Sequence, residues 1–143
     1  MVKYLFIAGS IPFVVLGLAH IAWSIVDAYR PTKIVPGDAD LVDRMKAGRL
    51  VITRETTVWR AWIGFNISHG IGVFLFGLVV FLAALAGFEA SLAALPWLFY
   101  GSPAVAAVYL VLSLKYWFRV PATGSAIGAV LYGAGVIGLM AGA

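Results

Sequence analysis

The sequence predicts an all-α polytopic membrane protein: four transmembrane helices in an antiparallel bundle, with a short amphipathic helix in the first cytoplasmic loop. Three observations carry this. Apolar and aromatic residues make up 63% of the 143 and charged residues only 11%, against about 45–50% and about 25% in soluble domains. The mean hydropathy is +1.01. Four stretches without a charged residue, 4–26, 61–88, 90–114 and 120–143, each exceed the roughly 20 apolar residues that a helix needs to span a bilayer. Such a composition excludes a disordered chain, which needs low hydrophobicity and high charge. The absence of cysteine excludes a disulfide scaffold, thiolate chemistry and Cys-ligated metal. Barrel strands are excluded because they alternate polar and apolar residues over about 10 positions.

The spans are expected near residues 4–29, 57–87, 95–118 and 120–142 of a single domain covering 1–143, with a connection at 30–56. The first span resembles a secretory signal only superficially. Its charged lead is Lys3 alone, its apolar run is long and no small-x-small site closes it, so an uncleaved helix is expected. The segment 30–60 then holds 11 of the 16 charged residues. Pro31 and Pro36-Gly37 break the chain. Asp38 or Asp40 is placed to cap an amphipathic helix over 41–47, which Gly48 stops. Thr53 is expected as the N-cap of the second membrane helix, with Glu55 facing the positive end of its dipole. In the third stretch, Pro96 as the first helical residue leaves Pro103 to kink the helix. Alternatively, Ser102-Pro103 is itself the cap and start, and the segment before it is irregular.

Topology follows from the basic residues. Segments 30–60 and 115–119 carry seven and two Lys/Arg, against Lys3 alone on the opposite side. The positive-inside rule then places both connections in the cytoplasm and both termini outside it. Membrane lipids are the expected partners, with anionic headgroups on the basic side. Nucleic acid is not, because acids interleave with these bases and no binding module accompanies them.

His20 and His69 are the sharpest chemical signal. Each lies about 10–14 Å inside the cytoplasmic end of its span at 1.5 Å per residue, so the two imidazoles share one depth on successive helices. His20, Ser24 and Asp27 follow i, i+4, i+7 spacing, and Asn66 and His69 follow i, i+3. A buried polar cluster of His20, Ser24, Asn66 and His69 is therefore expected. It reads as an organic-ligand, quinone or lipid-headgroup site, as haem ligation, as a proton relay, or as hydrogen-bonding glue between helices. Two histidines fall short of the three or four protein ligands of a zinc site, and the sequence requires no metal or cofactor.

Arg54 and Arg60 form a possible anion or headgroup grip, the plain alternative being interfacial anchoring. Glu55 is placed to pair with either arginine, and Asp27 with Arg60. Gly124, Gly128, Gly135 and Gly142 form a small-residue track on the last helix, along which another helix can approach closely, whether from the same bundle, from a second copy or from a partner subunit. No catalytic residue is assigned, because no nucleophile–base pair stands out, and the chain reads as a non-enzyme.

The runs Leu-Ala-His-Ile-Ala-Trp-Ser-Ile-Val-Asp (18–27), Thr-Arg-Glu-Thr-Thr-Val-Trp-Arg-Ala-Trp-Ile-Gly-Phe-Asn-Ile-Ser-His-Gly (53–70) and Lys-Tyr-Trp-Phe-Arg-Val-Pro (115–121) resemble an uncharacterised family of small bacterial four-helix integral membrane proteins. The resemblance covers most of the chain and implies an inner-membrane location without an activity. The expected function is a ligand- or lipid-binding or accessory membrane subunit. A haem- or quinone-binding redox anchor and a small proton-coupled exporter are the alternatives. Against the exporter, Asp27 lies at the span boundary and no acid lies at mid-span.

Overall fold

The computed structural model describes residues 1–142 and contains five helices: α1 (Val2–Tyr29), α2 (Ala39–Ala47), α3 (Val58–Ala94), α4 (Pro96–Tyr116) and α5 (Arg119–Met140). All but α2 are long and apolar enough to cross a membrane. Among the described residues there is no strand, only an isolated antiparallel bridge between Arg49 and Thr57. The protein is an all-α, multi-pass membrane protein.

Burial agrees with lipid as the outer solvent. The residues shielded from the surface include Ser10, Ser24, Asn66, Ser102, Ser113 and Ser125, whereas Ile11, Val15, Val79, Val108, Val111 and Val130 point outward. A soluble helical protein would place these the other way round. In hydrocarbon, the polar groups are the ones that must turn inward to find partners.

The caps define the shorter elements. Asp38 caps α2, its carboxylate accepting from the N–H groups of Asp40 and Leu41. Gly48 ends that helix, donating its own N–H to the Arg44 carbonyl. Thr53, expected to cap the second membrane helix, does not. Its hydroxyl accepts from the Glu55 N–H within a local turn. The cap is Thr57, which accepts from the Arg60 N–H at 3.2 Å. Two threonines, four residues apart, both offer a cap oxygen. The bridge between Arg49 and Thr57 holds Thr53 in the loop, so α3 starts after Thr57.

The apolar α3 continues past Glu89 to Ala94, with a kink at Gly87 whose backbone is extended rather than helical. Pro96 stands in the first turn of α4, and Pro103 lies inside that helix. A proline inside a helix leaves the carbonyl four residues earlier without its donor, here that of Phe99. The Ser102 hydroxyl donates to this carbonyl at 2.9 Å. The helix runs through Pro103 because the neighbouring serine supplies the hydrogen bond that proline cannot.

The chain divides into two compact units, one formed by residues 1–16 with 73 onward, the other by 17–72. In the first, α4 packs on α5, and the core is aromatic. Phe6 meets Phe99 edge-on at 5.0 Å between centroids, and Phe13 meets Phe76 likewise at 4.9 Å. α1 seats on α5 as knobs in sockets. A Cβ built at Gly138 would strike Val2, at Gly135 Phe6, at Gly128 Phe13 and at Gly124 Leu16. Positions 2, 6, 9, 13 and 16 of α1 follow the alternating steps of four and three that keep one helical seam. At the seam's middle the roles reverse: Gly9 of α1 makes room for the Tyr132 ring of α5. The glycine track is thus occupied by α1 of the same chain. Gly142 is not part of it. That residue lies past the end of α5 with φ +73 and no atom within 4 Å of a Cβ built there.

The second unit has its own small core, in which Val42, Trp59 and Ile63 are buried, with Val35, Met45 and Ile67 against them. The α2 helix is thereby pinned to the first turns of α3.

Candidate functional site

Within the second unit, α1 and α3 touch where Gly70 stands. A Cβ there would come within 2.9 Å of the Ile21 side chain, 3.1 Å of the Ile21 backbone nitrogen and 3.2 Å of the His20 ring. Only a residue without a side chain lets the backbones run this close, and the closeness brings the polar groups into range. The His20 and His69 rings lie 5.3 Å apart, centroid to centroid, in an edge-to-face arrangement. His20 Nε2 is 3.2 Å from Asn66 Oδ1.

The Asn66 amide fixes a proton. Its nitrogen donates to the Trp62 carbonyl at 2.8 Å, so its oxygen faces His20 as an acceptor. His20 Nε2 must then carry hydrogen. Phe65 lies parallel to the His69 ring, 6.4 Å away. Both histidines are half-buried, whereas Asn66 and Ser24 are buried.

Ser24 takes a different part from the one expected of it. Its single proton goes to the His20 carbonyl at 2.7 Å, back along its own helix, so it cannot donate to an imidazole. The side chains brought together are His20, Asn66 and His69. Among the described residues no group of three or more His, Asp or Glu is placed to hold a metal ion.

Asp27 is not the partner of Arg60. It is fully buried, and its carboxylate accepts from three successive backbone N–H groups: Thr32 at 2.7 Å, Lys33 at 2.9 Å and Ile34 at 2.6 Å. The Trp62 indole donates to the Ile34 carbonyl at 2.9 Å. Together they staple segment 32–34 to the end of α1 and the start of α3. The sequence signals were an acid at the end of an apolar run and a Pro-interrupted polar segment directly after it. Both suggest a charge pair between side chains, whereas the donors that Asp27 meets belong to the backbone.

Arg54 and Arg60 are exposed. The ion pairs among the described residues are Arg44–Asp38 and Lys46–Asp43, so Glu55 pairs with neither Arg54 nor Arg60. Gly70 is the site residue that sequence reasoning missed. Gly70 directly follows His69 and is the signal for a close helix approach at that depth.

Fold and site together define a multi-pass helical membrane protein with a polar His–Asn–His group between two of its helices. Comparison with known proteins finds no matching family model, no matching curated protein and no matching solved structure.

Proposed function

We propose that the protein is a ligand-binding or accessory subunit of a bacterial inner membrane, both termini outside the cytoplasm, which holds a small organic molecule or lipid headgroup at His20, Asn66 and His69. The observation that carries this is the half-burial of two adjacent imidazoles on a site whose third member, Asn66, is oriented by its own helix. Imidazoles serving only as glue would be closed off, since a polar group in hydrocarbon is stabilised by complete pairing. Both rings here are only half-buried, which leaves them within reach of an incoming polar group. Ionisable residues within membrane spans mark ligand or ion pathways more often than ordinary packing. The sidedness is supported by nine Lys/Arg in segments 30–60 and 115–119 against one elsewhere.

The test is native mass spectrometry of protein extracted from membranes in mild detergent. A bound organic mass should accompany the wild-type chain and be absent from His69→Gln, whose helical content is retained. If both proteins carry the same bound mass, or neither carries one, the ligand reading fails. A Cys at position 39, in a chain with no other cysteine, should react with an impermeant thiol reagent only from the cytoplasmic side.

A further inference from the structure

The connection between α2 and α3 carries a feature that neither the histidine site nor the fold uses. Residues 50–56 form a closed tip. The Arg49–Thr57 bridge closes it, the Val58 N–H donates to the Gly48 carbonyl at 3.0 Å, and the Arg49 guanidinium donates across the tip to the Arg54 carbonyl at 3.3 Å. The tip is therefore held in one shape. Its outermost side chains are nonetheless aliphatic: Val51 is fully exposed and Ile52 is 90% exposed. Elsewhere in the same connection Val42 is buried and Val35 packs against the core formed around it, so the segment turns its other valines inward.

Charge tells what covers these two. Arg49, Arg54 and Arg60 lie in and beside the tip in sequence and are exposed, with Glu55 as the only acid among them. Among the described residues none of the three arginines is in an ion pair, whereas the basic residues Arg44 and Lys46 of α2 are each paired with an aspartate. The membrane helix α3 begins at Val58, so the tip stands within a few residues of the point where the chain enters the bilayer. Exposed aliphatic side chains with unpaired arginines close in sequence, next to a membrane entry, match the headgroup–acyl boundary of an anionic bilayer: the aliphatics enter the acyl edge and the arginines meet phosphates.

We infer that the 50–56 tip is a membrane-interface anchor, with Val51 and Ile52 inserted into the leaflet that α3 enters and Arg49 and Arg54 bound to anionic lipid phosphates. The inference needs α3 to cross a bilayer and is independent of the His20–His69 ligand. A tip so anchored fixes the start of α3, and with it the depth of Trp62 and Asn66.

The test uses a single cysteine at position 52, labelled with a polarity-sensitive fluorophore, in nanodiscs of phosphatidylcholine with and without phosphatidylglycerol. The label should shift to the blue and become several-fold less open to aqueous iodide when phosphatidylglycerol is present. Lipid carrying a nitroxide near the headgroup should quench it. Arg49→Gln with Arg54→Gln should abolish the dependence on phosphatidylglycerol. A label at position 39, on exposed α2, should stay open to iodide throughout. Water-like emission with full iodide access at position 52 in both compositions would overturn the proposal. So would shielding that depends on two chains sharing one nanodisc, since that marks a contact between copies.

Discussion

Of the polar groups inside this membrane protein, one in each compact unit invites comparison, and the two are finished in opposite ways. In the first unit, Ser10 donates its proton to the Phe6 carbonyl at 2.8 Å and lies 2.8 Å from the Tyr132 hydroxyl. Its proton already placed, Ser10 accepts, and Tyr132 donates. Both side chains are fully buried, within the rings of Phe6, Phe13 and Phe76. In the second unit, His20 and His69 remain half-buried beside a buried Asn66. The Ser10–Tyr132 pair is fully enclosed among aromatic rings, and the His20–His69 pair is only half-enclosed. Polarity alone does not separate structural from functional residues in a bilayer. On the function proposed above, the burial of the imidazoles does.

The largest expected effect lies in the glycine seam that supports the sealed group. Gly128→Leu would drive into Phe13 and Gly135→Leu into Phe6, each overpacking costing about 1–3 kcal/mol or more. Thermal unfolding in detergent, followed by circular dichroism, should show the double variant melting far below the parent. Unchanged melting would mean that α1 does not fill the track.

Asp27→Ala comes next, because it strips three backbone N–H groups of their acceptor at about 1–3 kcal/mol each, partly relieved by water. Hydrogen exchange at Thr32, Lys33 and Ile34 should accelerate strongly while exchange in α5 is unchanged. Equal exchange in wild type and variant would show the staple to be idle.

Gly70→Ala sharpens the comparison more directly. The new methyl meets backbone at Ile21, so the helices must part by a few tenths of an ångström, for about 1–2 kcal/mol. Bound ligand should be lost with most of the stability retained, and a variant that still carries its ligand would separate the site from the close approach.

Tyr132→Phe removes one buried hydrogen bond and should cost about 1 kcal/mol, without touching any bound molecule. Smallest of all, His69→Gln replaces a half-buried ring and should change stability by about 0.5 kcal/mol or less. If the Tyr132 change cleared the ligand and the His69 change did not, the contrast between sealed and open groups would be reversed.

The architecture was legible because it depends on quantities summed over many residues. Run length, charge placement and the Pro–Gly break set the membrane helices and the amphipathic α2 between the first two. Local competition was less legible. Thr53 and Thr57 have the same chemistry, and only the pairing of Arg49 with Thr57 selects between them. At the site, helical spacing put His20, Asn66 and His69 on the right helices at one depth. The same spacing swept in Ser24, because spacing reports which face a side chain is on and not where a hydroxyl spends its single proton. The role of Asp27 was out of reach for a related reason. Its partners are main-chain N–H groups, which every residue but proline possesses and no sequence pattern advertises. The glycine track was visible as a stripe, yet what fills it lies more than a hundred positions away.

That distance has a consequence for how the protein is made. Tyr132 and Ser10 are 122 positions apart, and the sockets for Phe6 and Phe13 are on α5, synthesised well after α1. At the 5–20 residues per second typical of translation, α1 waits roughly ten seconds in the bilayer before α5 exists. Throughout that interval the Ser10 hydroxyl has its own backbone to bond, but Phe6 and Phe13 have no sockets. The second unit, built from residues 17–72, is complete long before. Assembly therefore proceeds from the middle of the chain outward, with the α1–α5 seam closing last. A ribosome stalled before α5 would leave a chain with a formed histidine site and an open aromatic face, a species that membrane quality-control proteases are suited to remove.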